Sequence, residues 1–165
     1  MSPRGALCAL VLTAVLTACN GRADPLQAFA EGDYLGALAL WKSLAEQGDA
    51  QAQNYLGILY HLGLGVEREY RQAVKWYRQA AANGNADAQR NLGTMYQFGF
   101  GVPQSNLYSY AWYYSALRHG NLNARNYIQT LSNKLTPNQI MKARVLLRHE
   151  VGSESRDAAM SGPRL

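Results

Sequence analysis

Histidine and cysteine, which often serve as catalytic bases, nucleophiles and zinc ligands, are scarce in this chain. The 165 residues include three histidines and two cysteines. His61 lies beside a glycine turn, His119 immediately precedes a glycine, and His149 is near the end of the chain. An enzyme needs a base next to a nucleophile, and these positions are more typical of surface or capping residues. Because the ligands are also too few for zinc, we predict a protein that is not an enzyme and holds no metal or cofactor.

Both cysteines belong to an N-terminal segment with the features of a targeting signal. Arg4 precedes an uncharged apolar run from Gly5 to Ala18, which is well short of the roughly 20 residues that span a bilayer. We interpret residues 1–18 as a signal peptide. The segment that ends at Cys19 reads Leu-Thr-Ala-Cys and resembles the bacterial lipobox. This resemblance implies that Cys19 is acylated, with palmitate among the acyl chains, and becomes the mature N-terminus.

Lipidation of Cys19 predicts a protein that is tethered to a membrane and otherwise soluble. Cys8 leaves with the signal peptide, and several acyl chains at about 0.8 kcal/mol per methylene give stable attachment. Asn20 follows Cys19, which by resemblance to lipoprotein sorting rules favours the outer membrane, facing the periplasm. Residues 19–32 are then the lipidated cysteine and its tether. An ordinary cleaved signal with an incidental cysteine is the alternative interpretation.

An internal repeat organises the rest of the sequence. Residues 49–84 align without a gap on residues 85–120. The matched pairs are Ala50/Ala86, Ala52/Ala88, Gln53/Gln89, Leu56/Leu92, Gly57/Gly93, Tyr60/Tyr96, Gly63/Gly99, Gly65/Gly101, Val66/Val102, Trp76/Trp112, Tyr77/Tyr113, Ala80/Ala116 and Gly84/Gly120. Apolar residues recur at helical spacing within each unit, so each unit predicts two helices separated by a glycine-containing turn.

Flanking segments extend this helical pattern over residues 33–150. Asp33 is predicted to cap a helix that ends at Gly48, and Thr136 is predicted to cap a closing helix that runs to about Glu150. The residues expected to cover the last unit are Ile140, Ala143, Val145, Leu146 and Leu147. A glycine inside a helix costs about 1 kcal/mol relative to alanine, so Gly57 and Gly93 predict a closely packed partner helix. The tail at residues 151–165 is expected to be disordered.

The string A-x-A-Q-x-x-L-G-x-x-Y-x-x-G-x-G-V, followed by W-Y-x-x-A, resembles the Sel1-like repeat, a relative of the tetratricopeptide repeat. The resemblance implies an all-α, right-handed α/α solenoid with a C-terminal capping helix and a concave face lined by the first helix of each pair. It also implies an adaptor that holds other proteins. A cysteine-rich branch of this family has been linked to β-lactam binding, but the mature chain cannot form its disulfides, so that activity is not carried over.

First-helix residues that point away from the predicted helix seam predict where a partner binds. In tetratricopeptide domains the corresponding positions hold backbone or carboxylate groups of a peptide, which suits donors such as Asn and Arg. The predicted partner-binding residues are Asn54, Ile58, His61, Arg90, Thr94, Phe98 and Asn126. The predicted structural residues of the repeat are Gly57, Tyr60, Gly63, Gly65, Trp76, Gly93, Tyr96, Gly99, Gly101 and Trp112. Solvent-exposed polar surface is the alternative interpretation of the first set.

Charge and location narrow the partner class. Sixteen Lys and Arg against eleven Asp and Glu give a formal charge of +5, and removal of Arg4 with the signal leaves fifteen minus eleven, or +4. This modest surplus and the signal peptide argue against nucleic acid. We predict a non-catalytic scaffold for another envelope protein or peptide, and the alternative is binding to peptidoglycan or an acidic polysaccharide. A small concave face predicts either transient binding or dimerisation.

Overall fold

The computed structural model describes residues 24–147, and every regular element within them is an α-helix. The helices are α1 (Pro25–Ala30), α2 (Tyr34–Glu46), α3 (Ala50–Leu62), α4 (Tyr70–Ala82), α5 (Ala86–Phe98), α6 (Asn106–Arg118), α7 (Ala124–Ser132) and α8, at residues 137–147. No helix in this part of the chain has the length and apolar character needed to cross a membrane. The predicted signal peptide, Cys19 and the tail at 151–165 lie outside the described residues.

Consecutive helices pack against each other along the chain. Helices α1 and α2, α3 and α4, and α5 and α6 form hairpins, and each hairpin packs on the next through the contacts of α2 with α3, α4 with α5 and α6 with α7. The first helices α3 and α5 also touch directly. This arrangement confirms the predicted all-α solenoid of helix pairs.

Polar side chains at the start of each first helix join one hairpin to the next. The N-cap side chains of Asp49 and Asn85 accept hydrogen bonds from backbone N–H groups at 2.6 and 2.8 Å, satisfying donors that lack a partner within the helix. Four residues later, the amides of Gln53 and Gln89 each donate to a carbonyl near the end of the preceding helix, at 3.1 Å in both units. These bonds link successive repeats through carbonyl groups at the C-terminal ends of the preceding helices.

Two glycines inside the first helices allow a tyrosine ring from the second helix to pack against the backbone. A Cβ atom on Gly57 would overlap the ring of Tyr77, and one on Gly93 would lie 2.6 Å from Cδ1 of Tyr113. The turn that contains Gly101 packs equally closely against the start of α4. A Cβ on Gly101 would lie 2.7 Å from the carbonyl oxygen of Tyr70. The close packing predicted for Gly57 and Gly93 is therefore present.

The described core forms two clusters, a smaller one around Trp41 and a larger one around Tyr77 and Tyr113. These three aromatic residues occupy the same position in successive units and are at most 2% exposed. The matched tryptophans of the repeat differ, since Trp112 is buried whereas Trp76 is only half-buried. The α5–α6 hairpin therefore encloses its tryptophan more completely than the α3–α4 hairpin does.

The two ends of the described chain correct the sequence predictions in part. Residues 19–32 are predicted to be a tether, but Pro25–Ala30 is helical, and Phe29 packs on Trp41 with ring centroids 5.5 Å apart. Asp33 caps the N-terminus of α2 as predicted, because its side chain accepts a hydrogen bond from the N–H of Gly36.

The predicted closing helix begins where the sequence places it. Thr136 Oγ1 accepts from the N–H of Gln139 at 3.3 Å, while Gln139 Oε1 accepts from the N–H of Thr136 at 2.8 Å. This reciprocal pair is a capping box. Ala143 and Leu147 are buried as expected, but Val145 is 45% exposed and does not cover the last unit, because it lies on the outer side of α8. Residues 148–150 lie outside the described part.

Candidate binding face

The surface formed by α3 and α5 carries most of the predicted partner-binding residues, and we call it the α3–α5 face. Its members are Ile58, His61, Leu62, Arg90, Thr94, Gln97 and Phe98, whereas Asn54 is a buried residue of α3. Asn126 lies on α7, where it is exposed. The structure therefore brings six of the seven predicted residues together on two adjacent helices.

Two buried tyrosines from the second helices extend their hydroxyl groups to the α3–α5 face. The Tyr77 hydroxyl oxygen lies 3.5 Å from His61 Nδ1. The Tyr113 hydroxyl donates to Gln97 Oε1 at 2.8 Å and lies 3.0 Å from Thr94 Oγ1. Each ring passes over a helix glycine to reach this position, so the glycines of the repeat also place two phenol groups among polar side chains.

Arg90 acts electrostatically on both of these phenols. Burial raises the pKa of Tyr113 to about 12, and the positive charge of Arg90 is among the weaker influences on that pKa and opposes the rise. Burial raises the pKa of Tyr77 further, again against the effect of Arg90. Both phenols are therefore neutral hydrogen-bonding groups at physiological pH. The half-buried guanidinium of Arg90 adds fixed charge and several donors beside them.

His61 is a neutral member of the face near pH 7. Burial, followed by the nearby charge of Arg68, lowers the pKa of His61 below its ordinary value. Its ring meets those of Tyr70 and Phe100 at centroid distances of 5.7 and 5.9 Å. The imidazole therefore joins the polar centre of the face to an aromatic cluster.

An apolar edge borders the polar centre where α3 and α5 end. Leu62 and Phe98 occupy matched positions in the two units, and each is 56% exposed. The Phe98 ring lies 5.6 Å from that of Phe100, which stacks on Tyr70 at 4.7 Å. Large exposed apolar side chains grouped in this way are typical of interaction surfaces.

Asn54 does not occupy the exposed position predicted for it. It is only 3% exposed, and its Oδ1 accepts a hydrogen bond from Asn91 Nδ2 at 3.0 Å. The bond ties α3 to α5, so Asn54 is a packing residue and is not part of the exposed surface. Of the matched first-helix residues Asn54, Arg90 and Asn126, only the last two are accessible.

Asn91 marks the site where the middle of the repeat array departs from its neighbours. The ring of Trp41 stacks on Tyr55 at 4.4 Å, and the ring of Tyr113 stacks on Tyr127 at 4.7 Å. Asn91 stands at the position equivalent to Tyr55 and Tyr127, where it bonds Asn54. Asn91 is not among the residues predicted from the sequence, although an alignment of these three positions identifies it.

Among residues 24–147 there is no group of three or more His, Cys, Asp or Glu side chains placed to hold a metal ion. What the face offers is hydrogen-bonding groups, one guanidinium and an apolar edge.

Comparison with known proteins gives two kinds of match. The Sel1 repeat profile matches residues 22–49, 50–85 and 86–121. The first of these segments adds a unit, formed by α1 and α2, that the sequence alignment recovered only in its second helix. A comparison with curated proteins found no significant match.

Solved structures with the same fold include two bacterial proteins. One is c5321, a protective antigen present in uropathogenic Escherichia coli strains that displays an SLR fold, with 26% identity, a TM-score of 0.71 and coverage of 86% of this chain and 32% of that chain. The other is a Sel1 repeat protein from Oxalobacter formigenes, with 26% identity, a TM-score of 0.58 and coverage of 79% and 60%. This chain thus spans about a third of the first protein's length and three fifths of the second's.

Proposed function

This chain belongs to the Sel1 repeat family, and we propose that it is a non-catalytic, lipid-anchored scaffold of the bacterial cell envelope that binds another protein through the α3–α5 face. Sel1 repeat proteins generally mediate protein–protein interaction, and their fold is typically a non-catalytic scaffold. The proposal assigns that general role to one surface of this chain.

One observation carries the choice of surface: polar and apolar groups of complementary kinds lie side by side on the α3–α5 face. Arg90 and Gln97 provide partly exposed hydrogen-bonding groups. Leu62 and Phe98 provide exposed apolar area beside them. A bound protein segment can therefore place a side chain on the apolar edge and pair its carbonyl or carboxylate groups with Arg90.

Photo-crosslinking in cells tests this assignment. A photoreactive residue at Thr94 lies on the face, whereas one at Arg118, an exposed position at the end of α6, serves as a matched control. We expect a discrete adduct from position 94 that is absent from position 118 and is lost in the Arg90→Glu variant. An identical adduct from both positions, or one unaffected by Arg90→Glu, would place the binding site elsewhere.

The lipid anchor rests on the sequence around Cys19, and it supports a location in the outer membrane. Labelling with an alkyne analogue of palmitate tests it, because Cys8 provides a matched control within the signal peptide. We expect the label on the wild type and on Cys8→Ser, and its loss in Cys19→Ser together with release from the membrane fraction. Labelling that persists in Cys19→Ser would contradict the anchor.

A further inference from the structure

A groove follows the outer side of α4, away from the tyrosine that points to the α3–α5 face. It encloses about 720 Å³. Val74 and Val102 contribute apolar surface, and Val74 is only 4% exposed. Gln53 and Asn83 close one end of the groove, and the turn at Gly101 and Val102 lies at the other. We refer to this cavity as the α4 groove.

Three cationic side chains line the α4 groove along one face of the helix. Arg71, Lys75 and Arg78 follow one another at spacings of four and three residues, which places them on the same side of α4. Arg78 Nη2 donates to the Tyr96 hydroxyl at 2.9 Å, so its guanidinium is fixed in place with other donors unused. None of the described residues that line the groove is acidic.

The repeat itself does not require these charges. The residues at the equivalent positions are Leu35, Ala39 and Lys42 in α2, and Leu107, Ala111 and Tyr114 in α6. The same helix packing is therefore achieved with at most one cation in the neighbouring units. Like charges at this spacing repel one another and lower the stability of the helix. Helix packing therefore does not explain the presence of three cations on α4.

The lining of the groove discriminates among possible anions. No aromatic ring lines it, whereas single-stranded nucleic acids use stacking on such rings. The valines favour a ligand that also carries apolar groups. Alternate side chains of an extended peptide are about 6.6 Å apart on one face, and helix residues four apart rise by about 6 Å. Acidic side chains at alternate positions therefore match Arg71 and Lys75.

We infer that the α4 groove is a second binding site, independent of the α3–α5 face, for an extended acidic peptide segment of a partner protein. Its carboxylates pair with Arg71, Lys75 and Arg78, and the methylene groups of the same acidic side chains cover Val74 and Val102. Two faces then allow the scaffold to bind two protein segments at once.

Fluorescence anisotropy with the full-length chain tests the inference. The probe is a short fluorescein-labelled peptide of alternating Glu and Leu, with an alternating Gln and Leu peptide as the uncharged control. We expect saturable binding of the acidic peptide alone, weakened by added sodium chloride. The double variant Arg71→Glu/Lys75→Glu should weaken binding about tenfold or more, because two attractive contacts become repulsive.

A matched variant and two other anions make the result decisive. Lys42→Glu/Arg118→Glu changes the net charge equally at exposed sites outside the groove, and we expect binding within about twofold of wild type. Equal weakening by both double variants would overturn the site. So would failure to bind the acidic peptide, or groove-dependent binding of polygalacturonate or phosphatidylglycerol vesicles in preference to the peptide.

Discussion

The two complete repeats have the same internal packing and different surfaces. In both, a helix glycine contacts a tyrosine ring, and a buried glutamine amide donates to the preceding helix at 3.1 Å. The outer face of α4 is cationic where that of α6 is apolar. On the inner face, His61 of the first unit is replaced by Gln97 in the second. Identity between the repeats therefore maintains packing, while their differences are where binding sites arise.

One internal difference also affects stability. Ser109 stands where the first unit has Ala73, and its hydroxyl donates to the carbonyl oxygen of Gly93 at 2.8 Å. This buried bond joins α6 to α5 beside the tyrosine contact. The core of the second unit is thus more extensively hydrogen-bonded than the core of the first.

The largest effect is expected from filling the space above the helix glycines. Gly57→Leu and Gly93→Leu should each lower the free energy of unfolding by about 3 kcal/mol, because the added side chain occupies the volume of a buried tyrosine ring. Urea denaturation measures this effect. Lys42→Leu, at an exposed helix position, should change stability by less than about 0.5 kcal/mol. A tolerated leucine in one unit alone would show that the two repeats do not pack alike.

A smaller effect should separate the two tyrosines. Tyr113→Phe removes a hydroxyl that bonds Gln97 at 2.8 Å, and we expect a loss of about 1 kcal/mol. Tyr77→Phe removes a contact of 3.5 Å to His61, and its cost should be smaller. Thermal unfolding of both variants measures the difference. An equal loss of stability in the two variants would show that the Tyr113 hydrogen bonds contribute no more than the Tyr77 contact.

The raised pKa of Tyr113 predicts that the stability of the fold decreases at alkaline pH. Because the pKa of Tyr113 in the folded protein is raised to about 12 from its usual value near 10, its neutral form favours folding. That contribution is complete below about pH 10 and is lost as the pH rises toward 12. Tyr113→Phe should lose less stability than wild type over this range. Parallel pH profiles for the two proteins would contradict the shift.

The smallest effect is expected from making His61 resemble its counterpart. Since burial lowers the pKa of His61 in the folded protein, protonation favours unfolding, and stability falls as the pH drops below about 6.5. His61→Gln installs the residue of the second unit and should flatten this acid profile, with a smaller change in stability than either tyrosine variant causes. Unfolding midpoints of both proteins, measured from neutral to acidic pH, test this prediction. An unchanged slope would show that His61 does not titrate differently on folding.

The sequence predicts the helix pairs well because glycine, alanine and aromatic residues recur in one register. It misses α1 because Pro25–Ala30 lacks the aligned motif, and the helix is held by the tertiary contact between Phe29 and Trp41. It misplaces Asn54 because the periodicity of α3 alone does not show that Asn91 of α5 contacts it.

The hydroxyls of Tyr77 and Tyr113 illustrate a second limit of sequence patterns. Their spacing correctly marks both residues as buried. Periodicity does not reveal that each ring, packed over a glycine, extends far enough to contact His61 or Gln97 on the opposite face. A long side chain can belong to the core and to a candidate site, and only the packing of neighbouring backbones shows this.

Arg90 is the best position at which to test whether residues that differ between the repeats bind the partner while identical residues maintain packing. Arg90→Asn gives the second unit the residue that the first has at this position, Asn54. The measurement is the yield of the crosslinked adduct from Thr94, compared at an equal fraction of folded protein. We expect an unchanged unfolding midpoint and loss of the adduct. An adduct at the wild-type yield in the folded variant would contradict this expectation.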